Sequence, residues 1–329
     1  MSRVVITGGA GFLGSNLAAR LVGDGHGVTI VDDFSSGSVE NLTDAGLDLT
    51  CVRGDLKDFT FAREALRGAE SVFHFAAEVG SVAYLHGSDA RELAALQANL
   101  VIDANVFRAC LESGVRRVVY ASSVSVYPFD QQLGSNVRFK EEDAEERVNP
   151  EGGYGWSKCI GERQLALMPN TACGIARIFH AYGRNIYLRP DRSQVIASLI
   201  RKAIAYPGEG FVVWGDGNQR RCFVYVDDAI EAVVRLWGHI EAKGNLTVNV
   251  GSTEETTVRD LATRVVKLSG KEIQVSYDSS KPTGALSRTP DLGRVGRVLG
   301  WAPTTSLSAG LQSTYEWAGK RLSRGPRVP

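Results

Sequence analysis

No stretch of this 329-residue sequence approaches the roughly 20 consecutive apolar residues that a membrane span requires. The N-terminal segment MSRVVITGGAGF lacks the apolar core and small-residue cleavage site of a secretory signal. Cysteine is sparse and odd in number: five residues, at 51, 110, 159, 173 and 222, with no CxxC pair and no histidine spacing that suits zinc. Lys plus Arg (37) balance Asp plus Glu (37), so no surplus of charge marks a nucleic-acid or anionic-membrane partner. The pairs Arg116-Arg117 and Arg220-Arg221 then read as solvated faces or local anion contacts. These absences argue against a secreted disulfide scaffold, a membrane protein, a metal-bound module and a nucleic-acid binder. They leave the expectation of a cytoplasmic chain whose reduced thiols serve as small apolar residues.

What is present suits a large core: 43% hydrophobic and 22% charged residues, over a length that fits one large domain or two intertwined ones. Through the first half, short apolar runs alternate with amphipathic stretches. RVVIT (3–7), GVTIVD (27–32), LTCVRGD (49–55), SVFHFAA (71–77) and RRVVYASS (116–123) are expected as fully buried strands. Helices are expected over 11–22, 59–66 and 90–113. This alternation, with right-handed crossovers, predicts an α/β fold: a doubly wound (Rossmann) parallel sheet covered on both faces.

Beyond GIARIF (174–179) the segments shorten, and aromatics and arginines gather in loops. That change predicts a smaller interleaved C-terminal lobe that closes over a substrate. NLTVNVG (245–251) reads as a strand returning to the main sheet. The expected division is therefore a coenzyme-binding domain of 1–179 plus about 226–252, a lobe of about 180–225 and 253–320, and a frayed tail of 321–329. In the long stretch 90–113, Leu93, Leu96, Leu100, Val101, Ala104 and Phe107 make a stripe wider than one sheet contact needs. Its outer half is expected to pair with a second copy, giving a homodimer.

VVITGGAGFLGSNLAARL places Gly8, Gly11 and Gly14 between a strand and a helix. Glycine permits the sharp turn and lets a pyrophosphate approach the helix N-terminus, where N–H groups and the dipole stabilise an anion. Asp32 closes the second strand. Its carboxylate suits the two ribose hydroxyls and repels a 2′-phosphate, so NAD is expected rather than NADP. Asp55, after the third strand, is either a contact to the adenine edge or an uninvolved carboxylate.

Tyr154-Gly-Trp-Ser-Lys158 opens a helical stretch that runs through Gln164. Tyr and Lys four apart share a helix face. A tyrosine ionises at about 10 when unperturbed, and a nearby ammonium together with an oxidised nicotinamide lowers that value. Such a phenol can take a hydroxyl proton as the carbinol hydride departs.

As an ordered set, TGGAGFLG, Asp32, HFAA, Asn99, SSVSVY, YGWSK, GDGNQRRCFVYVDD and RTPDLGRVGRVLGW resemble the extended short-chain dehydrogenase/reductase family that acts on nucleotide sugars. The resemblance implies Ser123, Tyr154 and Lys158 as catalytic residues, with Lys158 on the nicotinamide ribose. It implies NAD contacts from Phe12, Leu13, Asp33, Ser36, Leu56, Phe75, Ala76, Ala77, Asn99 and Ser122 beside the glycines, Asp32 and Asp55. In the lobe it implies Arg221 and Arg288 as diphosphate ligands, a task suited to forked, charge-assisted hydrogen bonds. Glu78, Ser81, Ser125, His180 and Gln194 are expected to face the sugar, and His180 is either a substrate contact, a substitute acid/base or a structural residue.

Within that family SSVSVYP and RSQVIASLIRKA are most similar to the GDP-sugar branch, the GDP-mannose 3,5-epimerases and GDP-fucose synthases. By the same resemblance, inversion at carbons 3 and 5 uses a Cys and a His or Lys where this chain has Ser125 and Gln194. Dehydratases and UDP-xylose-forming decarboxylases place an acid in the strand-end loop that Ser125 lacks. Neither Ser125 nor Gln194 carries protons readily near neutral pH. The expectation is a 4-epimerase working through a transient 4-keto sugar on a GDP- or UDP-linked substrate. A 4-dehydrogenase or 4-ketoreductase, a 3,5-epimerase with atypical groups, and a non-catalytic NAD sensor remain as alternatives.

Overall fold

The computed structural model describes residues 3–43, 46, 49–134, 137–281 and 283–324. Seven strands form the central sheet: β1 (Val4–Thr7), β2 (Val28–Asp32), β3 (Thr50–Arg53), β4 (Ser71–His74), β5 (Arg117–Ser123), β6 (Ala172–Ile178) and β7 (Leu246–Val250). They are all parallel, in the order β7-β6-β5-β4-β1-β2-β3. The order reverses between β1 and β4. In open α/β sheets that switch point opens a crevice at the carboxyl ends of the strands.

The longer helices are α1 (Phe12–Gly23), α2 (Phe59–Ala65), α3 (Asp89–Glu112), α4 (Gly152–Ala166), α5 (Val195–Ala205), α6 (Val226–Lys243), α7 (Val258–Ser269), α8 (Gly293–Leu299) and α9 (Leu307–Ser323). Successive strand residues point to opposite faces, so each β1 neighbour feeds a different layer. Val4 and Ile6 pack with Leu17 and Leu21 of α1 and Trp237 of α6. Val5 packs with Ala62 of α2, Phe107 of α3 and Leu165 of α4. The continuous apolar runs of β1 and β4 are buried at every position because both faces are covered.

β3 departs from the expectation of full burial: Thr50, Cys51 and Arg53 are exposed. It is the last strand of the sheet and has one neighbour. Cys51 is therefore exposed, whereas Cys110, Cys173 and Cys222 are the buried apolar residues expected.

The lobe has its own core, in which Ile196 and Ile200 of α5, Leu261 and Val265 of α7 and Leu311 of α9 meet Phe211 and Val213. Short two-stranded ladders fill it out, among them Arg220–Cys222 antiparallel to Glu255–Thr257. β7 returns to the main sheet beside β6, as its sequence suggested. The segment around α8 does not follow the expected division. Val295 and Trp301 join the core under the main sheet, and the Trp301 indole donates to the Asp228 carbonyl of α6 at 3.0 Å. The expected tail from 321 begins inside α9, and residues 325–329 lie outside the described residues.

Candidate active site

A cavity of about 970 Å³ opens at the carboxyl ends of β1, β2, β4 and β5 and runs under the lobe. Every residue expected to bind coenzyme or substrate lies on its wall except Asn99. Asn99 is fully buried in α3 and clamps one main-chain unit: its Oδ1 accepts from the Glu78 N–H at 2.7 Å, and its Nδ2 donates to the Glu78 carbonyl at 3.0 Å. It shapes the loop after β4 and does not line the cavity itself.

The end for the dinucleotide is built from backbone. Gly8 has φ +66°, and a Cβ there would stand 2.7 Å from the Ala76 nitrogen. A Cβ on Gly14 would meet the Gly8 carbonyl oxygen at 2.2 Å, so α1 reaches the turn only without a side chain at that point. The N-terminus of α1 has no side-chain cap, which leaves its N–H groups for an anion. Asp32 is buried, and its two oxygens accept from the Ala10 and Phe34 N–H groups at 2.9 and 2.8 Å. Burial raises its carboxyl above the usual range, with these two hydrogen bonds acting in the opposite direction. The carboxylate thus staples the glycine turn to β2 and keeps lone pairs for a ribose. This cradle fits a dinucleotide.

The reaction centre lies at the end of β5. Ser123 caps the short turn after the strand, its hydroxyl accepting from the Ser125 N–H at 3.1 Å. It shares the cavity wall with Tyr154 of α4. Lys158, one helical turn further, is buried, with its ammonium 4.4 Å from the centre of the Tyr120 ring and 5.9 Å from that of Tyr154. Burial pushes the Tyr154 phenol up to about 12, and the nearby Ser123 hydroxyl opposes that rise. Burial likewise lowers Lys158, against the pull of Asp103 and Glu162.

At the sugar end, the sequence reading missed one residue. Glu151, in the NPEGG segment, lines the cavity one helical turn before Tyr154. Its carboxylate accepts from the Ser125 hydroxyl at 3.2 Å and pairs with the Arg288 guanidinium. The premise that the pocket holds no ionisable group beside Ser125 is therefore incorrect. The carboxylate comes from the helix start instead of the strand-end loop. The i, i+3 spacing of Glu151 and Tyr154 was the available signal.

Arg221 is held by the carbonyls of Arg220 and Thr283 at 2.8 and 3.2 Å. Burial and then the neighbouring Arg288 lower its guanidinium, so two desolvated cations share a single carboxylate. The Nε of Arg288 has no partner among the described residues. Such a cluster attracts an anion. His180 stands in the same region in a left-handed conformation, φ +45°, with its Nδ1 buried and unpartnered. Burial, Arg221 and Arg288 hold its ring well below the usual histidine range. At neutral pH the ring is therefore neutral, with Nδ1 placed to hydrogen-bond a ligand. Glu78 is tied to Arg192 at 3.2 Å and to the Tyr84 hydroxyl, and Arg192 also lies over the Tyr84 ring. Among the described residues no His, Cys, Asp and Glu group could hold a metal ion, and no helix is long and apolar enough to cross a membrane.

A coenzyme cradle opening on a Ser–Tyr–Lys centre and an arginine-lined sugar pocket define a class, dinucleotide-dependent enzymes of nucleotide sugars. Residues 4–251 match the NAD dependent epimerase/dehydratase family, and the chain belongs to it. It is 30% identical to GDP-mannose 3,5-epimerase 1 of Oryza sativa subsp. japonica, over 98% of this chain and 83% of that protein. It is 32% identical to the UDP-glucose 4-epimerase of Mycolicibacterium smegmatis, over 96% of this chain and 98% of that one. Among solved structures it resembles MoeE5 in complex with UDP-glucose and NAD, with 30% identity and a TM-score of 0.80 over 98% of this chain and all of that one. The chain is an enzyme of this family, and NAD is its coenzyme.

Proposed function

We propose that this protein is a nucleotide-sugar 4-epimerase acting through a 4-keto intermediate on a GDP- or UDP-linked hexose. The observation that carries the reading is that Ser123, Tyr154 and Lys158 share one cavity wall, with the Lys158 ammonium on the next turn of the same helix, 5.9 Å from the centre of the Tyr154 ring. Tyr154 takes the proton of the C4 hydroxyl, Ser123 holds that oxygen, and Lys158 stabilises the phenolate. NAD, held by the glycine turn, Asp32 and Lys158, supplies the hydride acceptor and donor at carbon 4. Arg221 and Arg288 would hold the diphosphate while the keto sugar turns over, so that the hydride is returned to the other face of C4 and Tyr154 returns the proton to the C4 oxygen.

The test is incubation of the purified protein with UDP-, GDP-, dTDP- and CDP-hexoses, with products read by NMR. The 4-epimer should form without net NADH. A released 4-keto sugar with stoichiometric NADH would identify a dehydrogenase instead. The parent should turn over a nucleotide sugar and a Tyr154→Phe variant should bind NAD as before and turn nothing over, whereas a non-catalytic NAD sensor would show no turnover in either.

Glu151 favours a second reading. Inversion at carbon 3 or 5 beside a 4-keto group needs a group that moves protons at carbon, and the Glu151 carboxylate next to Ser125 is such a group. The rice relative, a GDP-mannose 3,5-epimerase, adds to it. Deuterium from the solvent entering carbon 3 or 5 of GDP-mannose would select this reading, and its absence the first.

Leu93 and Val101 of α3 and Trp156 and Ile160 of α4 are exposed large apolar residues on two helices that pack against each other. We propose that this two-helix apolar face pairs with a second copy as a homodimer.

A further inference from the structure

A buried polar cluster lies behind the reaction centre, off the cavity wall. Asp103, in the middle of α3, is 1% exposed. Its Oδ1 is 2.9 Å from Nε2 of His74 on β4, and its Oδ2 accepts from the Tyr120 hydroxyl of β5 at 2.6 Å. Nδ1 of His74 is 2.7 Å from the Thr7 hydroxyl at the end of β1. The fourth wall is α4, which comes this close because residue 161 is glycine: a Cβ there would stand 2.4 Å from the Tyr120 hydroxyl and 2.7 Å from Asp103 Oδ2. Several strands and helices thus converge on this cluster, and Tyr120, which donates to the carboxylate, has the Lys158 ammonium 4.4 Å from its ring centre.

Asp103 of α3 and Glu162 of α4 both favour the charged form of that lysine through space, against burial. Glu162 already has its own cation: Arg177 of β6 holds it by a fork of 2.9 and 2.6 Å. Asp103 has neutral partners. Burial holds His74 below the usual histidine range, against Asp103 itself, and holds the Tyr120 phenol well above its ordinary value. A desolvated carboxylate with only neutral partners is costly unless a cation answers it. The cation that remains in the cluster is Lys158.

We propose that Asp103 is a positioning residue of the reaction centre, the buried negative charge that holds the Lys158 ammonium in place, with His74 and Tyr120 as its neutral clamps. This rests on the reading of Tyr154 and Lys158 as the proton-transfer pair. Asp103 acts on Tyr154 directly in the wrong sense, raising the phenol, so its benefit runs through the lysine. It keeps that lysine charged at a depth where burial alone would favour the neutral amine.

The test uses the NAD-loaded full chain, labelled with carbon-13 at lysine Cε, with the Lys158 resonance assigned by Lys158→Arg. In Asp103→Asn, which keeps the shape of the side chain, the Lys158 midpoint should fall by about one pH unit or more. The high-pH limb of nucleotide-sugar turnover should move down with it. An unchanged Lys158 midpoint in folded Asp103→Asn would overturn the proposal. Should that variant not fold, Tyr120→Phe decides: it strips one hydrogen bond from Asp103 and keeps the charge, so the midpoint should hold or rise, and a fall refutes the role. The two readings fail separately. Turnover of no nucleotide sugar, with the lysine shift intact, sinks the proposed function alone; turnover with an unmoved lysine sinks Asp103 alone.

Discussion

At the scale of single residues, Tyr154 responds to two opposing environments. Without a ligand, burial dominates and the phenol sits at about 12. A base must lose its proton to act, so the reaction requires a positive charge that burial does not supply. Ultraviolet titration, with Tyr154→Phe as the blank, should show the phenolate forming at about 12 in the coenzyme-free protein. Loading NAD⁺ should move it to lower pH, and loading NADH should move it less. Glu151 separates the two functional readings: under 4-epimerisation Glu151→Gln keeps turnover within about tenfold, whereas under inversion at carbon 3 or 5 it loses a factor of about 10² to 10⁴. NMR product assays distinguish these outcomes. The grouping of Ser123, Tyr154 and Lys158 on one cavity wall was legible because Tyr154 and Lys158 sit one helical turn apart and Ser123 ends a recognisable strand. Glu151 was not, because its partners Ser125 and Arg288 are 26 and 137 residues away, and only folding joins them.

At the scale of elements, the joint between β1 and α1 is the most constrained. Gly14 has no left-handed φ to accommodate, so Gly14→Ala tests packing alone. Its methyl would press on the Gly8 carbonyl and lift α1 off the turn, spoiling the N-terminal anion site. NAD affinity should fall by about a hundredfold, roughly 2.7 kcal/mol, read by calorimetry. An affinity within a factor of three of the parent would show that the turn relaxes freely. Strand and helix positions agreed with their sequence patterns to within a few residues, since buried parallel strands announce themselves as continuous apolar runs. β3 resisted because the same apolar pattern does not reveal which strand ends the sheet. Asn99 also misled, since an amide on a helix can serve a ligand or a neighbouring loop, and the sequence pattern alone does not distinguish them.

At the scale of the whole molecule, the interleaving of lobe and sheet puts Arg221 and Arg288 on the wall of the same cavity as Tyr154. The apolar face of α3 and α4 is the remaining large feature. Leu93→Glu and Trp156→Glu should each convert a dimer to a monomer in sedimentation velocity, and a monomeric parent would remove the dimer proposal. The amino-acid order by itself determined the layer architecture, the coenzyme turn and the spacing of the catalytic tyrosine and lysine, because periodicity, glycine and helix geometry act over a few residues. The closed fold alone decided that Glu151 would stand beside Ser125, that Asp103 would meet His74 and Tyr120, and that α8 would pack on the main sheet. Those contacts join distant segments, and their energies depend on how far each charge is taken from water.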